Sequence, residues 1–400
     1  MKTNLIIILT IWLCISKVLS QTTFNVTLKD TVFDHQVMDA VELPSGNIIL
    51  VDAKSIFPIL QCSRVLKINT AGIVIAQRDI LDNGDTSVLL SINLNSENKL
   101  ILSGGVGHLG SSQLWSQLWI CVMDTDLNVI SNHSYSFRGY NLYMSKVTIA
   151  KNADIVCYGT VEDTTSYNTP FFFLYRLSPN LDSLNLKIFN EHWAFGLDLL
   201  ERNDNYGFYL VVLGYRVGLD NPGKIISLDN LFNIRQIVLM PVIMNLNSIK
   251  YTDNRHLVVT GEYNYTYPYT DKRDIGVLSY DTMFNVIHSE TFGKKDTEDF
   301  PGLIKNLSLT NIHSIFIGGT SNMYYYEFYP QDSWYVLNNV DSTLELNWQK
   351  YYGGDGYYSL YGVLATKDGG CFMYGTVWDY HHTQQYIRYL SLIKVSKEGM

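Results

Sequence analysis

The sequence predicts an all-β protein built from one repeated unit of antiparallel strands, and three observations lead to this prediction. Short apolar stretches ending on glycine recur along the chain. Turns rich in Asn, Asp, Gly and Ser precede them, and a longer connection and another strand follow each one. The clearest copy spans residues 347–394, where a tight turn at 367–370 separates two strands. Nearly every earlier segment is a looser copy of this unit.

The second strand of each copy sets the period. Its aligned residues are separated by about 54 residues on average, so seven copies fill residues 21–400. Seven repeats of four antiparallel strands are typical of a seven-bladed β-propeller, here a single domain, with an open solenoid as the structural alternative. The aligned residues are Asp52, Gly104, Gly159, Gly214, Gly261, Gly318 and Gly375.

The two ends of the repeat region complement each other. The last copy stops after its third strand, and a strand-like segment, residues 22–31, stands before the first copy without a repeat of its own. Pairing of this segment with the last copy would complete the final blade and close the ring. Closure would also remove two exposed sheet edges, which invite aggregation.

Residues 1–20 form a predicted signal peptide. They begin with the cationic Lys2, continue in an apolar run from Leu5 to Ile15, and end at Ser20. This run is shorter than the roughly 20 residues that a spanning helix needs, and no later segment is long and apolar enough to span a membrane. We therefore expect cleavage after Ser20 and a secreted or cell-surface protein, with the periplasm as the alternative location.

Charge and cysteine content restrict the partners and the chemistry. Removal of residues 1–20 leaves 27 basic against 38 acidic side chains, a net charge of −11, which argues against nucleic acid as a partner. Four cysteines remain. Export permits disulfides, but Cys121 and Cys157 lie within apolar strand patterns, which favours small buried side chains. The sequence alone leaves the disulfide state of Cys62, Cys121, Cys157 and Cys371 open.

The last repeat resembles a known family. Its string WQKYYGGDGYYSLYGVLATKDGGCFMYGT is similar to the repeats of secreted β-propeller proteins common in Bacteroidota, many of which are cargo of type IX secretion. The family's aspartate-glycine-glycine turn corresponds to residues 368–370, and the earlier repeats keep only its turn chemistry. The resemblance implies the propeller fold for the whole mature chain and no particular activity.

Members of this family often carry a C-terminal sorting domain after the propeller, and this sequence shows none up to Met400. Three expectations follow from that departure: a natural protein that extends further, export that stops at the periplasm, or a different export route.

Candidate binding residues come from the loops. In a four-stranded blade, the connection between the second and third strands and the link to the next blade lie on one face, where this chain has its long connections. Loops on a rigid scaffold are where binding usually resides, and tyrosine suits recognition of sugars or proteins. The alternative is that the tyrosines extend strands and stack across hairpins. The predicted ligand-binding residues are Tyr265, Tyr267, Tyr326, Phe328, Trp378, Tyr380 and His382.

Catalytic and metal-binding signals are weak. His381 and His382 are adjacent and would point to opposite sides of an extended segment, and His382 would meet Asp379 and Glu327 only if two loops meet. Residues 82–85 offer calcium-like ligands without the full loop pattern. Nucleophile-elbow, zinc-protease and phosphate-loop motifs do not occur. We therefore predict no catalytic residue, no metal and no cofactor.

The resulting hypothesis is a monomeric, exported binding or scaffold propeller whose partner is a glycan or a protein outside the cell. The alternative is a polysaccharide-active or quinone-dependent enzyme with its centre in the central funnel; a structural spacer is a third hypothesis. The enzyme requires acids, bases or metal ligands that converge at the axis. The charged candidates on the predicted innermost strands are Asp39, Lys146, Asp198, Lys250 and Lys305.

Overall fold

The computed structural model describes residues 22–400 apart from 57–58, 81–86, 109–113, 166–169, 190–192, 215–222, 241–242, 264–272, 324–329 and 384. The predicted signal peptide, residues 1–20, lies outside the described residues, as does the calcium-like segment at 82–85. Every regular element in the described part is a β-strand. This part therefore contains no helix that could cross a membrane.

The first described strand is β1 (Phe24–Leu28), and the strands that follow it in the chain form consecutive antiparallel meanders. The meanders are β2 (Asp34–Glu42), β3 (Ile48–Ile56), β4 (Ile59–Ile68) and β5 (Val74–Ile80); β6 (Ser87–Leu94), β7 (Leu100–His108), β8 (Trp115–Met123) and β9 (Val129–Tyr135); β10 (Tyr140–Ile149), β11 (Ile155–Asp163), β12 (Pro170–Leu177) and β13 (Ser183–Phe189); β14 (Trp193–Glu201), β15 (Gly207–Gly214), β16 (Lys224–Asp229) and β17 (Ile234–Leu239); β18 (Ile243–Tyr251), β19 (His256–Tyr263), β20 (Asp274–Asp281) and β21 (Val286–Phe292); β22 (Asp299–Pro301), β23 (Leu307–Asn311), β24 (Ser314–Ser321), β25 (Trp334–Val340) and β26 (Leu346–Gly353); and β27 (Tyr357–Ala365), β28 (Cys371–Trp378) and β29 (Arg388–Val395).

Three meanders, β2–β5, β14–β17 and β18–β21, each form a four-stranded antiparallel sheet in which neighbours in the chain are neighbours in the sheet. Three other meanders depart from this pattern. The β6–β9 and β10–β13 meanders share one sheet because Leu142 pairs with Trp115. In the β22–β26 meander, β22 and β23 both pair with β24, so its innermost strand is split in two.

The first strand of the chain pairs with the last. Phe24 lies opposite Lys394 and Leu28 opposite Leu390, so β1 becomes the fourth strand of the β27–β29 sheet. The Phe24 ring packs on Phe372 with a centroid distance of 6.0 Å. Lys394 Nζ donates a 2.8 Å hydrogen bond to the Thr22 carbonyl oxygen. Strand pairing, ring packing and this hydrogen bond together hold the N-terminal segment in place.

The hydrophobic core lies between successive sheets. One cluster combines Val51 and Val65 from the β2–β5 sheet with Leu89, Leu102 and Trp119 from the next meander. Side chains of the middle strands pack into clusters on both faces of a sheet, so these strands are buried throughout rather than alternately, as in β28, where every residue is buried.

The innermost strands are bulged near their middle. An extra residue interrupts the ladder between Val37 and Asp39 in β2 and between Leu360 and Gly362 in β27, and similar interruptions occur in β6, β10, β14 and β18. A bulge bends the strand and redirects its side chains. The split between β22 and β23, residues 302–306, is a larger interruption at the corresponding place.

Four aligned glycines of the sequence repeat lie against these bulges: Gly104, Gly159, Gly261 and Gly375. A Cβ atom on Gly104 would lie 1.8 Å from the Val88 carbonyl oxygen, and one on Gly375 would lie 2.2 Å from the Ser359 carbonyl oxygen. The innermost strand therefore approaches the second strand too closely for any side chain. This contact explains why glycine recurs at the aligned position of these repeats.

The turns between third and fourth strands contain an apolar residue with a left-handed backbone. In the turn that starts at Asp229, the carboxylate accepts hydrogen bonds from the Leu231 and Asn233 amides, and Phe232 has φ 62°. Leu127, Leu181, Phe284 and Leu344 have the same backbone in equivalent turns. This conformation is costly for a non-glycine residue, so burial of the side chain must compensate.

Replacement of Phe232 by alanine is expected to lower the free energy of unfolding by about 3–4 kcal/mol, because it leaves a cavity without relieving the backbone strain. Phe232 is fully buried, and its ring lies 5.9 Å from that of Phe208. Urea denaturation measures the change, with Leu231→Ala as control, since Leu231 stands in the same turn but is 68% exposed. Equal losses in the two variants would contradict this account of the turn.

The four described cysteines are free and buried. Burial raises the pKa of the Cys157 and Cys371 thiols well above the usual range, so these side chains behave as small apolar groups.

Candidate functional site

The connections between strands divide the molecule into two faces. The second strands end and the third strands begin at one edge of the sheets, as at Tyr263 and Asp274, Ser321 and Trp334, or Trp378 and Arg388; we call this edge the elaborated face. The turns from first to second and from third to fourth strands lie on the other, which we call the trimmed face. The candidate residues Tyr265, Tyr267, Tyr326 and Phe328 belong to the elaborated face by sequence and lie outside the described residues.

Trp378 ends β28, and the structure buries it beneath the following loop. Trp378 is only 8% exposed. Its Nε1 donates a hydrogen bond of 2.9 Å to the Gln385 carbonyl oxygen, and the centre of its ring lies 4.8 Å from that of Tyr386. Phe300 and Tyr357 complete the apolar cluster around it. Trp378 therefore supports the loop rather than offering a free ring to a ligand.

Tyr380 and His381 form an ordered polar pair on the elaborated face. The two rings lie 4.1 Å apart, and both side chains contact one oxygen of Asp332, at 2.8 Å from Tyr380 Oη and 2.8 Å from His381 Nε2. Although burial opposes it, hydrogen bonds from His381 and Tyr380 lower the pKa of Asp332. Asp332 could not be predicted from the sequence, because only folding brings the residue before Ser333 to the loop after β28.

His382 forms a second pair beside the first. Its Nδ1 lies 2.7 Å from Asp379 Oδ1, and its side chain is 81% exposed. Asp379 also lies 3.5 Å from Lys29 Nζ, which follows β1. Of the two carboxylates that the sequence suggested as partners of His382, Asp379 contacts it. The other, Glu327, lies outside the described residues. The described residues contain no group of three or more His, Cys, Asp or Glu side chains that could hold a metal ion.

The five charged residues of the predicted innermost strands lie close to one another. Lys305, in the split between β22 and β23, lies 2.7 and 2.9 Å from the two carboxylate oxygens of Asp39 in β2. The Asp39 carboxylate also accepts hydrogen bonds from the Ile92 amide and the Ser91 hydroxyl, both at 3.0 Å. Both oxygens of this buried carboxylate are therefore occupied.

A second charged pair repeats this arrangement. Asp198 Oδ2 accepts hydrogen bonds from Lys250 Nζ at 2.9 Å and from the Ile249 amide at 3.0 Å. Burial raises the pKa of Asp198, but Lys250, Lys146 and the Ile249 amide outweigh it, so the net shift is downward. Asp198 thus stays ionised while linking β14 to β18.

Lys146 joins the two pairs. Its ammonium group, in β10, donates to the carbonyl oxygens of Leu197 and Ile304, the latter at 3.1 Å. These acceptors belong to the bulge of β14 and to the split before β23, so one side chain connects three meanders. Burial lowers the pKa of Lys146 to about 8, with Asp198 acting in the opposite direction. The convergence that the enzyme hypothesis requires is present, but four of the charges form two ion pairs and Lys146 is hydrogen-bonded to carbonyl oxygens.

No protein-family model and no curated protein matches this sequence. Among solved structures, a catalytically inactive virginiamycin B lyase from Staphylococcus aureus with quinupristin aligns with a TM-score of 0.52 and 8% identity, over 93% of this chain and 99% of that one. A puromycin hydrolase mutant complexed with PGG gives a TM-score of 0.54 and 8% identity, over 90% of this chain and 51% of that one.

A protein from Lactobacillus plantarum gives a TM-score of 0.52 and 9% identity, over 86% of this chain and 91% of that one. These solved structures are β-propeller proteins, some of them enzymes. At 8–9% identity the similarity concerns the fold and carries no activity to this chain. The predicted architecture is thereby supported at this level: the chain is similar to β-propeller proteins in fold.

Proposed function

We propose that this chain is a closed, seven-bladed β-propeller, exported from the cell, that binds a glycan through its elaborated face. The observation that carries the binding role is the Tyr380–His381–Asp332 unit. One carboxylate oxygen holds a phenol and an imidazole, and the two rings lie 4.1 Å apart. An aromatic surface bordered by a carboxylate acceptor and imidazole nitrogens suits a sugar, which offers apolar ring faces and hydroxyl groups.

Three contacts support the closed ring. β1 pairs with β29, which supplies the strand that the last repeat lacks. Arg388 of β29 forms an ion pair with Asp34, at the start of β2, through its Nε at 2.9 Å and its Nη2. Lys305 reaches Asp39 across the β27–β29 meander. Strand pairing holds β1 in the last repeat and the Arg388–Asp34 ion pair links the last repeat to the first, while Lys305 links the β22–β26 repeat to the first.

A glycan array should distinguish the elaborated face from the rest of the surface. We expect residues 21–400 to bind a defined set of glycans and a variant with Tyr380→Ala and His382→Ala to lose at least about tenfold in affinity, as expected when one aromatic contact is removed. Tyr206→Ala is the matched control, because this tyrosine is 73% exposed in a turn of the trimmed face. Thermal melts confirm that each variant is folded.

Two results would count against the proposal. If Tyr206→Ala weakened glycan binding as much as the double variant does, the elaborated face would not be the binding site. Absence of binding to every glycan would reject a glycan ligand and favour a protein partner outside the cell.

An enzyme centred in the funnel is the second candidate, and the convergence of the five charged side chains favours it. Lys146, with a pKa of about 8, is the group there best suited to exchange a proton near neutral pH. We place binding first because both carboxylates are already hydrogen-bonded to backbone amides and lysines. Buried carboxylates that are already hydrogen-bonded within the protein typically have a structural role.

A further inference from the structure

Two carboxylates meet on the elaborated face between the β18–β21 and β22–β26 sheets. Asp274 is the first residue of β20, and Asp299 is the first residue of β22. A Cβ atom on Gly293 would lie 2.0 Å from Asp274 Oδ1 and 2.7 Å from Asp299 Oδ2. Both oxygens therefore occupy the space that a side chain at position 293 would need.

Asp299 is incompletely satisfied. It is fully buried, and its Oδ2 accepts hydrogen bonds from the Lys294 amide and, at 3.0 Å, from the Thr297 hydroxyl. Its Oδ1 is buried and has no hydrogen-bond partner among the described residues. A buried carboxylate that is incompletely hydrogen-bonded is costly to keep charged beside a second carboxylate, so one proton on the pair would be stabilising.

The surrounding charges do not neutralise the pair. Arg273 is next to Asp274 in the chain, but its Nε lies 3.0 Å from Glu262 Oε1 and 4.0 Å from Glu298 Oε2. This guanidinium group therefore forms ion pairs with two other carboxylates. Glu298 itself adds negative charge beside Asp274.

The other nearby cation is also engaged. Lys294 Nζ lies 3.9 Å from the centre of the Tyr351 ring and 4.9 Å from that of Trp334. Burial raises the pKa of Tyr351 to about 12, and Asp299 and Asp274 contribute in the same direction. The negative charge of the pair therefore also acts on Tyr351, which lies in β26 of the sheet that carries Asp299.

We propose that Asp274 and Asp299 share one proton and thereby form an acid-stabilised clasp between the two sheets. In the clasp, Asp274 is the protonated partner and donates a hydrogen bond to the Asp299 carboxylate. The clasp adds to the backbone hydrogen bond of 2.8 Å from the Asp299 amide to the Arg273 carbonyl oxygen. Loss of the proton leaves two carboxylates in repulsion at this seam. This inference does not depend on the identity of the ligand.

The direction of the pH dependence follows from linkage. Burial raises the pKa of Asp274 to about 6, with Asp299 and Glu298 adding to the effect, against 3.8 for an unperturbed carboxyl. The folded protein holds this proton more tightly than the unfolded chain does. Its contribution to stability is fully present below pH 3.8 and is lost as the pH rises through about 6.

The test compares melting temperatures at pH 5.0 and 7.5 in the full chain and three variants. When the pH is lowered from 7.5 to 5.0, we expect the melting temperature of the wild-type protein to rise about 2–3 °C more than that of Asp274→Asn. The variant keeps a hydrogen-bond donor at this position but cannot titrate. Asp296→Asn is the matched control, an exposed residue of the same link, and should behave as the wild type.

Carbon-13 detection of the Asp274 carboxyl supplies a direct readout. Its titration midpoint is expected near 6 in the wild type and lower in Asp299→Asn, since the substitution removes the repelling charge; burial alone would leave the midpoint unchanged. A pH dependence of melting that Asp274→Asn retains in full, or an Asp274 midpoint near the value of an exposed carboxyl, would overturn the proposal.

Discussion

Asp39→Ala is expected to lower the free energy of unfolding by about 3–5 kcal/mol, because it removes the acceptor of a buried charge and of a backbone amide together. Asp39 is fully buried and binds Lys305, Ser91 and Ile92. Its loss would leave Lys305 without its carboxylate and the Ile92 amide without its acceptor. Urea or thermal denaturation of purified protein measures the change.

Two control variants determine how the loss arises. Lys305→Ala should cost less than Asp39→Ala, because Asp39 keeps its hydrogen bonds from Ser91 and from the backbone amides. Asp126→Ala should cost less than about 1 kcal/mol, since it breaks only the ion pair with Lys67 in which Asp126 is 78% exposed. If Asp39→Ala were as stable as Asp126→Ala, the Asp39–Lys305 pair would not have the structural role proposed for it. That result would favour the enzyme hypothesis.

Deletion of residues 22–31 is expected to have the second large effect. The deletion removes β1, which pairs with β29 along Phe24–Leu28, and it exposes the backbone edge of β29 and the Phe372 ring. Lys394 also loses its contact with the Thr22 carbonyl oxygen. We expect a chain that starts at Val32 to melt at least about 10 °C lower or to aggregate, because an unpaired apolar edge invites association.

A synthetic peptide of residues 22–31 added to the shortened chain tests the cause. Peptide that binds as a strand should restore much of the lost melting temperature, whereas a scrambled peptide should not. An unchanged melting temperature in the shortened chain would mean that the β1–β29 pairing contributes little, and it would remove the main support for ring closure.

The order of the strands was predictable because it is encoded locally. Alternation of apolar stretches with turns rich in Asn, Asp, Gly and Ser marks each meander, and the aligned residues from Asp52 to Gly375 all lie on the second strand of a meander. The apolar residues of the left-handed turns, such as Phe232, were not recognised, since nothing in a single turn distinguishes them from core residues. Their regular position after Asp229 and its equivalents was the available signal.

The candidate site depended on contacts between distant segments. Trp378 and Tyr380 are two residues apart, yet one is buried beneath its loop and the other is held at the surface by Asp332, 48 residues away. The sequence also identified five charged residues on the first strands of the meanders, but not that Lys305 binds Asp39 or that Lys146 connects three meanders.

The sequence by itself thus determined the all-β repeat, the strand order and the residues available at the axis and in the loops. The tertiary structure alone decided which of these residues meet. The physical reason is that hairpin pairing depends on neighbours in the chain, whereas burial of Trp378, pairing of Lys305 with Asp39 and the approach of Asp274 to Asp299 depend on how separate sheets pack.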